Sequence, residues 1–285
     1  MFKSFQLKSC GAGLLGYRWE AENPVAALCL LHGIGEHGGR FDRFAESLKT
    51  HGISTLSFDF RGHGGSAGKR GHTGGRKTVL RDADSLIAYA RAAYGELPLV
   101  FYGHSFGGNV LLEYRLRGRL SAVPAAYIAA SPWLALCRRV PAWFYRFVKA
   151  LAKLRPDFAL SAGINAAMLG NAQILESMRG DRLVHNKISA LTAVESQDAA
   201  NALMNRQIAD RHGGGQKPLI LMHGTADGIC SIEATRAFAA AEGAHCAMIE
   251  WENYLHELHN GGPDDTGEAV QEKVAELVLG FAGKD

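Results

Sequence analysis

Short apolar runs alternate along the chain with longer stretches whose apolar residues recur at helical spacing. Residues 25–31, 54–60, 99–102, 125–130, 219–222 and 247–251 read as strands buried on both faces, because a continuous apolar run leaves no polar side for water. Between them, residues 41–50, 78–94, 109–117, 232–242 and 268–281 read as helices. Strands that alternate with helices in this way form a mostly parallel sheet covered on both faces. Adding residues 2–7 and 14–19 as an antiparallel N-terminal hairpin brings the expected sheet to eight strands.

The rhythm stops after Ser131-Pro132, and strand signals resume only at Lys217-Pro218, behind the flexible Gly213-Gly214-Gly215. This break predicts a core made of residues 1–130 and 210–285, with an inserted, mostly helical cap or lid over 131–209. Inside the cap, Trp143, Phe144, Phe147, Val148, Leu151 and Leu154 share one face of a helix that Pro156 ends, and Arg146, Lys149 and Lys153 share the other. Two roles fit such a helix. It lies in a membrane or micelle interface as a transient, peripheral surface contact, or it packs its apolar face over an acyl-binding cavity and shows its cations to water. The two are compatible if the lid opens at a surface.

Composition removes several alternatives. In a chain of 285 residues, 47% hydrophobic and 21% charged residues exclude wholesale disorder. A formal charge of +3, scattered and without zinc-knuckle, RNP or helix-turn-helix signatures, excludes a nucleic-acid partner. The longest clean apolar run has seven residues, far short of the roughly twenty that span a bilayer. Lys3, Gln6 and Lys8 interrupt the opening residues, so no secretory segment is expected and the mature protein is expected to start near Met1. Five cysteines, an odd set without CxxC spacing, argue against a zinc site or disulfide framework and predict a cytoplasmic location. Oligomeric state leaves no mark in the residues.

The chemistry gathers where strands end. Residues 99–102 lead into Gly103-His104-Ser105-Phe106-Gly107-Gly108 and then a helix, which is G-x-S-x-G in the strand–turn–helix setting of a nucleophile elbow. A serine needs a histidine base, and the histidine needs a carboxylate to fix its tautomer; in this architecture they follow in the order Ser, acid, His. Residues 219–222 run into His223-Gly224-Thr225-Ala226-Asp227, and residues 247–251 run into Glu252-Asn253-Tyr254-Leu255-His256. Ser105, Asp227 and His256 are therefore expected to meet at the carboxyl edge of the sheet. The oxyanion of a tetrahedral intermediate is expected at the backbone N–H groups of Phe106 and of Ile34 in His32-Gly33-Ile34-Gly35. His256-Glu257-Leu258-His259 spaces its histidines three apart in a loop rather than four apart on a helix, so no metal is expected. The chain supplies every catalytic group, and no cofactor is implied.

Together, these motifs resemble the monoacylglycerol lipase and lysophospholipase branch of the serine α/β hydrolases. The resemblance is carried by His32-Gly33-Ile34-Gly35-Glu36-His37, Asp59-Phe60-Arg61-Gly62-His63-Gly64, the Ser105 hexapeptide, the Asp227 pentapeptide and Tyr254-Leu255-His256-Glu257-Leu258-His259. It implies the α/β-hydrolase fold and a lipid ester substrate cleaved through an acyl-enzyme. It also implies a small polar pocket for a glycerol leaving group, lined by Glu36, Arg40 and His259, and places Cys230 near the active site. For Glu36 and Arg40 a surface salt bridge is the competing reading. Two departures limit the transfer of acyl-chain preference. Phenylalanine follows the nucleophile where the family often has methionine, and the insertion matches only weakly, near Val184-His185-Asn186-Lys187. A short-chain or aryl carboxylesterase and an acyl thioesterase stay open within the hydrolases. From another class, so does a catalytically silent binding protein, against which the complete triad speaks.

Overall fold

The computed structural model describes residues 2–262 and 264–283. Lys3–Ser9 (β1) and Ala12–Trp19 (β2) form the expected hairpin, turning at Cys10-Gly11, both with positive φ. Beyond β2 the sheet continues in space with Ile53–Phe58 (β4), Ala26–Leu31 (β3), Leu99–His104 (β5), Ala126–Ala130 (β6), Leu219–Gly224 (β9) and Cys246–Trp251 (β10). The first two pairings are antiparallel and the rest parallel, giving the mostly parallel eight-stranded sheet of an α/β hydrolase.

The central strands show why their sequences carry no period-two alternation. In β3, Ala27, Cys29 and Leu31 face one apolar core while Ala26, Leu28 and Leu30 face another, so every position is apolar. Arg76–Tyr94 (α2), Phe106–Arg117 (α3) and Ile232–Glu242 (α7) cover the first face. Asp42–Thr50 (α1) and Glu268–Phe281 (α8) cover the second.

Two boundaries differ from expectation for physical reasons. The helix behind Ser105 starts at Phe106 rather than residue 109, because residues 106–115 are all buried and a helix enclosed on every side has no polar face to create a period. Strand β4 ends at Phe58: Asp59 keeps a last backbone bond to β2, its N–H to Leu15 O, while its carboxylate accepts from the N–H groups of Gly38 and Gly65 and from Tyr17 Oη and ties the chain into the following turn.

Between β6 and β9 lie Ala142–Leu154 (α4), Ala159–Ser161 (β7), Ala172–Ser177 (α5), Lys187–Ser189 (β8) and Ala190–Met204 (α6), with β7 and β8 paired antiparallel. Three-residue strands are too short to leave a pattern, which is why only helices were legible there. Helix α4 splits its apolar face. Val148 and Ala152 pack on Ala190 and Val194 of α6, yet Trp143 is 71% and Phe147 57% exposed. A helix that tucks its whole apolar face inward is therefore not what forms. Among the described residues, no helix is long and apolar enough to cross a membrane.

Candidate active site

The turn from β5 into α3 holds Ser105 at φ 55° and ψ −114°, a backbone conformation that costs a side-chain-bearing residue on the order of 1–3 kcal/mol. The flanking glycines permit it by letting backbone touch backbone. A Cβ at Gly103 would sit 2.5 Å from Gly107 O, and one at Gly107 would sit 2.2 Å from Leu31 O. The serine hydroxyl is thereby lifted above the carboxyl edge of the sheet.

Two loops deliver its partners. Asp227 follows β9 and His256 follows β10, and both are buried. His256 Nε2 lies 2.9 Å from Ser105 Oγ, and His256 Nδ1 lies 2.7 Å from Asp227 Oδ2. An ionised carboxylate only accepts, so Nδ1 carries the proton and Nε2 is left to accept from the serine. Burial pulls the His256 pKa down, but Asp227, then Glu257 and Glu36, together more than offset it, and the net shift is upward. Burial opposes ionisation of Asp227 as well; His256 and His223 overcome it and hold the carboxyl well below the usual carboxylate range. His223, an unforeseen partner, places Nε2 3.1 Å from Asp227 Oδ2 while its Nδ1 faces Thr235 Oγ1 at 2.9 Å.

The two segments that carry the expected oxyanion donors both approach the serine. Phe106 opens α3, so its N–H belongs to the first-turn amides that have no intrahelical acceptor, at the positive end of the helix dipole. On the other side the loop through Gly33 and Ile34 comes close: a Cβ at Gly33 would lie 3.4 Å from Ser105 Cβ. Glu36 Oε1 accepts the Gly33 N–H at 2.5 Å and fixes that loop. The insertion fixes it again through His185 N–H to Gly35 O at 2.8 Å.

Ser105 borders two different cavities. One, of about 330 Å³, is walled by apolar side chains that include Trp133, Phe144, Val148, Leu160 and Ile188, much of that wall coming from the insertion. The other, of about 310 Å³, is a more polar alcove bordered by Glu36, Arg40, His104, His185, His256 and Glu257. Cys230 lines the apolar cavity, where burial, then the charge of Asp227, keeps its thiol neutral well above the ordinary thiol value.

Glu36 and Arg40 both reach the alcove, and their ion pair is buried rather than superficial. His259 does not reach it. The 3₁₀ turn over Leu258–Asn260 carries its ring under α1, flat against Phe41 at a centroid distance of 4.2 Å and behind His104. Burial pushes its pKa down to about 3, and neither ring nitrogen has a hydrogen-bond partner among the described residues. The third wall of the alcove is instead Glu257, which binds Arg40 through both carboxylate oxygens. Its place directly after His256 was the one available signal. Among the described residues, no group of three or more His, Cys, Asp or Glu is arranged to hold a metal ion.

Comparison with known proteins places this geometry. An uncharacterized abhydrolase domain-containing protein of Dictyostelium discoideum is 31% identical over 83% of this chain, which spans only a quarter (25%) of that relative's length. A monoacylglycerol lipase of Mycolicibacterium smegmatis is 26% identical over 91% of this chain and 93% of its own. The crystal structure of the Paleococcus ferrophilus monoacylglycerol lipase superposes with a TM-score of 0.82 at 26% identity, covering 94% of this chain and 99% of that one. Residues 22–262 match the family described as Hydrolase_4, serine aminopeptidase S33, and the chain belongs to that family of serine α/β hydrolases.

Proposed function

We propose that the protein hydrolyses carboxylic esters that join a fatty acyl chain to a small glycerol-type alcohol. The observation that carries this reading is the position of Ser105 at the junction of an apolar cavity and a polar alcove, which suits an ester whose two sides differ in polarity. His256 takes the proton of Ser105 as Oγ attacks the ester carbonyl, and the N–H groups of Ile34 and Phe106 receive the oxyanion. His256 then gives that proton to the departing alcohol in the alcove. Water, activated by the same histidine, attacks the acyl-enzyme, and the fatty acid leaves. Relatives named monoacylglycerol lipase support this class of substrate. Residues 131–209 act here as the cap that walls the acyl cavity, and five free thiols suit a reducing cytoplasm.

The test is direct. Mono-oleoylglycerol is expected to be turned over at a kcat/KM at least tenfold above that for the short ester p-nitrophenyl acetate, with stoichiometric labelling of Ser105 by a fluorophosphonate abolishing both. A preference for the short ester, or no reaction with the fluorophosphonate, rejects the reading.

The same proposal extends to how substrate arrives. Trp143 and Phe147 stand outside the apolar cavity and face water, with Arg146 and Lys153 exposed beside them, so α4 suits a peripheral contact with lipid. Trp143→Glu together with Phe147→Glu is expected to lower cosedimentation with phosphatidylcholine–phosphatidylglycerol vesicles at least tenfold while leaving hydrolysis of p-nitrophenyl acetate intact. Unchanged vesicle binding would remove the surface contact from the proposal.

A further inference from the structure

The alcove is built from three charged side chains, and two of them are negative. Arg40 Nη2 donates to Glu257 Oε1 and Oε2 at 3.1 and 3.0 Å, and Arg40 Nε donates to Glu36 Oε2 at 3.3 Å. All three side chains are more than nine-tenths buried, at 7% exposure for Arg40, 8% for Glu36 and 4% for Glu257. Asn260 Nδ2 holds Glu257 from behind, donating to Oε2 at 2.7 Å. No other arginine or lysine borders the alcove among the described residues. The only strong cation there is already matched by carboxylate before a ligand arrives.

We infer that Glu257 is a specificity residue: by neutralising Arg40 it lets the alcove accept an uncharged polyol leaving group and turn away one that carries a phosphate. The inference rests on the ester-hydrolase reading above and narrows its alcohol to a neutral glycerol rather than a phosphoglycerol.

Phosphate is bound where a guanidinium fork or several cations are free to face it. Here one nitrogen of the Arg40 fork is bonded to both oxygens of Glu257, and Nε is turned to Glu36. An entering phosphate either displaces a carboxylate, which is then buried without its cation, or is itself buried beside two like charges; both are costly in a low-dielectric site. A glycerol hydroxyl brings no net charge and can donate to a carboxylate lone pair that the ion pair leaves open. Burial, then the like charge of Glu257, pushes the Glu36 carboxyl up to about 7, so near neutral pH Glu36 is partly protonated. In neither of its protonation states does the trio gain a surplus of positive charge.

Glu257 is also the cleaner of the two carboxylates to test, because Glu36 holds the Gly33 amide of the oxyanion loop. The experiment compares kcat/KM for 1-oleoylglycerol and for 1-oleoyl-lysophosphatidic acid in the same detergent micelles, with active sites counted by fluorophosphonate labelling. Glu257→Gln is expected to raise the ratio of phosphate ester to neutral ester at least tenfold, because one of the two carboxylates that repel a phosphate is gone and Arg40 Nη2 no longer faces a carboxylate. Adding Arg40→Gln to that variant is expected to erase the gain. A Glu257→Gln enzyme that loses both activities alike, or keeps the wild-type ratio, overturns the inference, as does a gain that survives without Arg40. A wild-type protein that cleaves p-nitrophenyl butyrate but neither oleoyl ester rejects the underlying substrate reading, and the inference with it.

Discussion

Replacing Ser105 by alanine is expected to lower ester turnover by about 10⁵–10⁶-fold, the loss that follows removal of a nucleophile whose base and acid act only through it. His256 Nε2 is 2.9 Å from Oγ, and without that oxygen the imidazole has no proton to take. Fluorophosphonate labelling should vanish with the activity. The fold should not suffer, because the strain at φ 55° belongs to the backbone and is the same for alanine as for serine. A thermal melt read by circular dichroism therefore separates lost chemistry from lost structure. Glycine at the same position removes the strain as well, and Ser105→Gly is expected to melt no lower than Ser105→Ala although glycine ordinarily costs about 0.5–1 kcal/mol of unfolded-chain entropy. An alanine variant that keeps more than a hundredth of the activity would show that another group is the nucleophile.

The frame of this site was readable because each member of the triad stands just beyond a strand with a local signal: β5 and β9 are buried throughout, and the half-exposed β10 is still a short apolar run. Ser105 follows β5, Asp227 follows β9 and His256 follows β10, so chain order and strand order together point to one edge. What could not be read is whatever depends on how distant loops dock. Arg40 and Glu257 are 217 positions apart, and nothing in either neighbourhood announces the ion pair. His259 shows the same limit from the other side. Its residue type and spacing fit an alcohol pocket, but the 3₁₀ turn that follows His256 rotates it under Phe41, into a site where a neutral ring packs and a charged one does not. The insertion was legible as a break in rhythm and in the amphipathic α4, not in its contacts. His256 N–H reaches Met168 O, and Gly35 O accepts from His185 N–H, so backbone between β6 and β9 touches the His256 loop and the Gly33–Gly35 loop through atoms that carry no side-chain identity.

Those backbone ties make the docking of the insertion part of the site's geometry. The alcove ion pairs extend the same connection inside the core: Glu36 holds the Gly33 amide, Arg40 holds Glu36, and Glu257, adjacent to the base, holds Arg40. Oxyanion loop and base loop are thus joined through buried charges, and a displacement of either is felt by the other. A charge in that chain is a poor candidate for recognising a charged substrate, since its first obligation is to its neighbours.

Asp227→Asn is expected to reduce kcat by about 10⁴-fold and to move the acid limb of the pH profile downward. Asp227 Oδ1 accepts the N–H groups of Ile229 at 2.8 Å and Cys230 at 3.0 Å, and only an oxygen can stay there. The asparagine NH₂ must then take the Oδ2 position, facing His256 Nδ1 and His223 Nε2 with donors where both rings now meet an acceptor. His256 is forced to bare Nδ1 and carry its proton on Nε2, the tautomer that cannot accept from Ser105. The sign of the pH effect follows from the same balance. His256 works as a base only when neutral, so activity falls as pH drops through its pKa, which in the native protein lies above the ordinary 6.5 because Asp227, with Glu257 and Glu36, outweighs burial. Once the carboxylate is gone, the largest raising influence is lost while burial stays, and the pKa falls from its native position. Residual activity of the variant should therefore persist to lower pH than that of the native enzyme, even though its plateau is far lower. A limb that does not move down in the variant, or a loss smaller than tenfold, would show that Asp227 is not the residue that orients and charges the base.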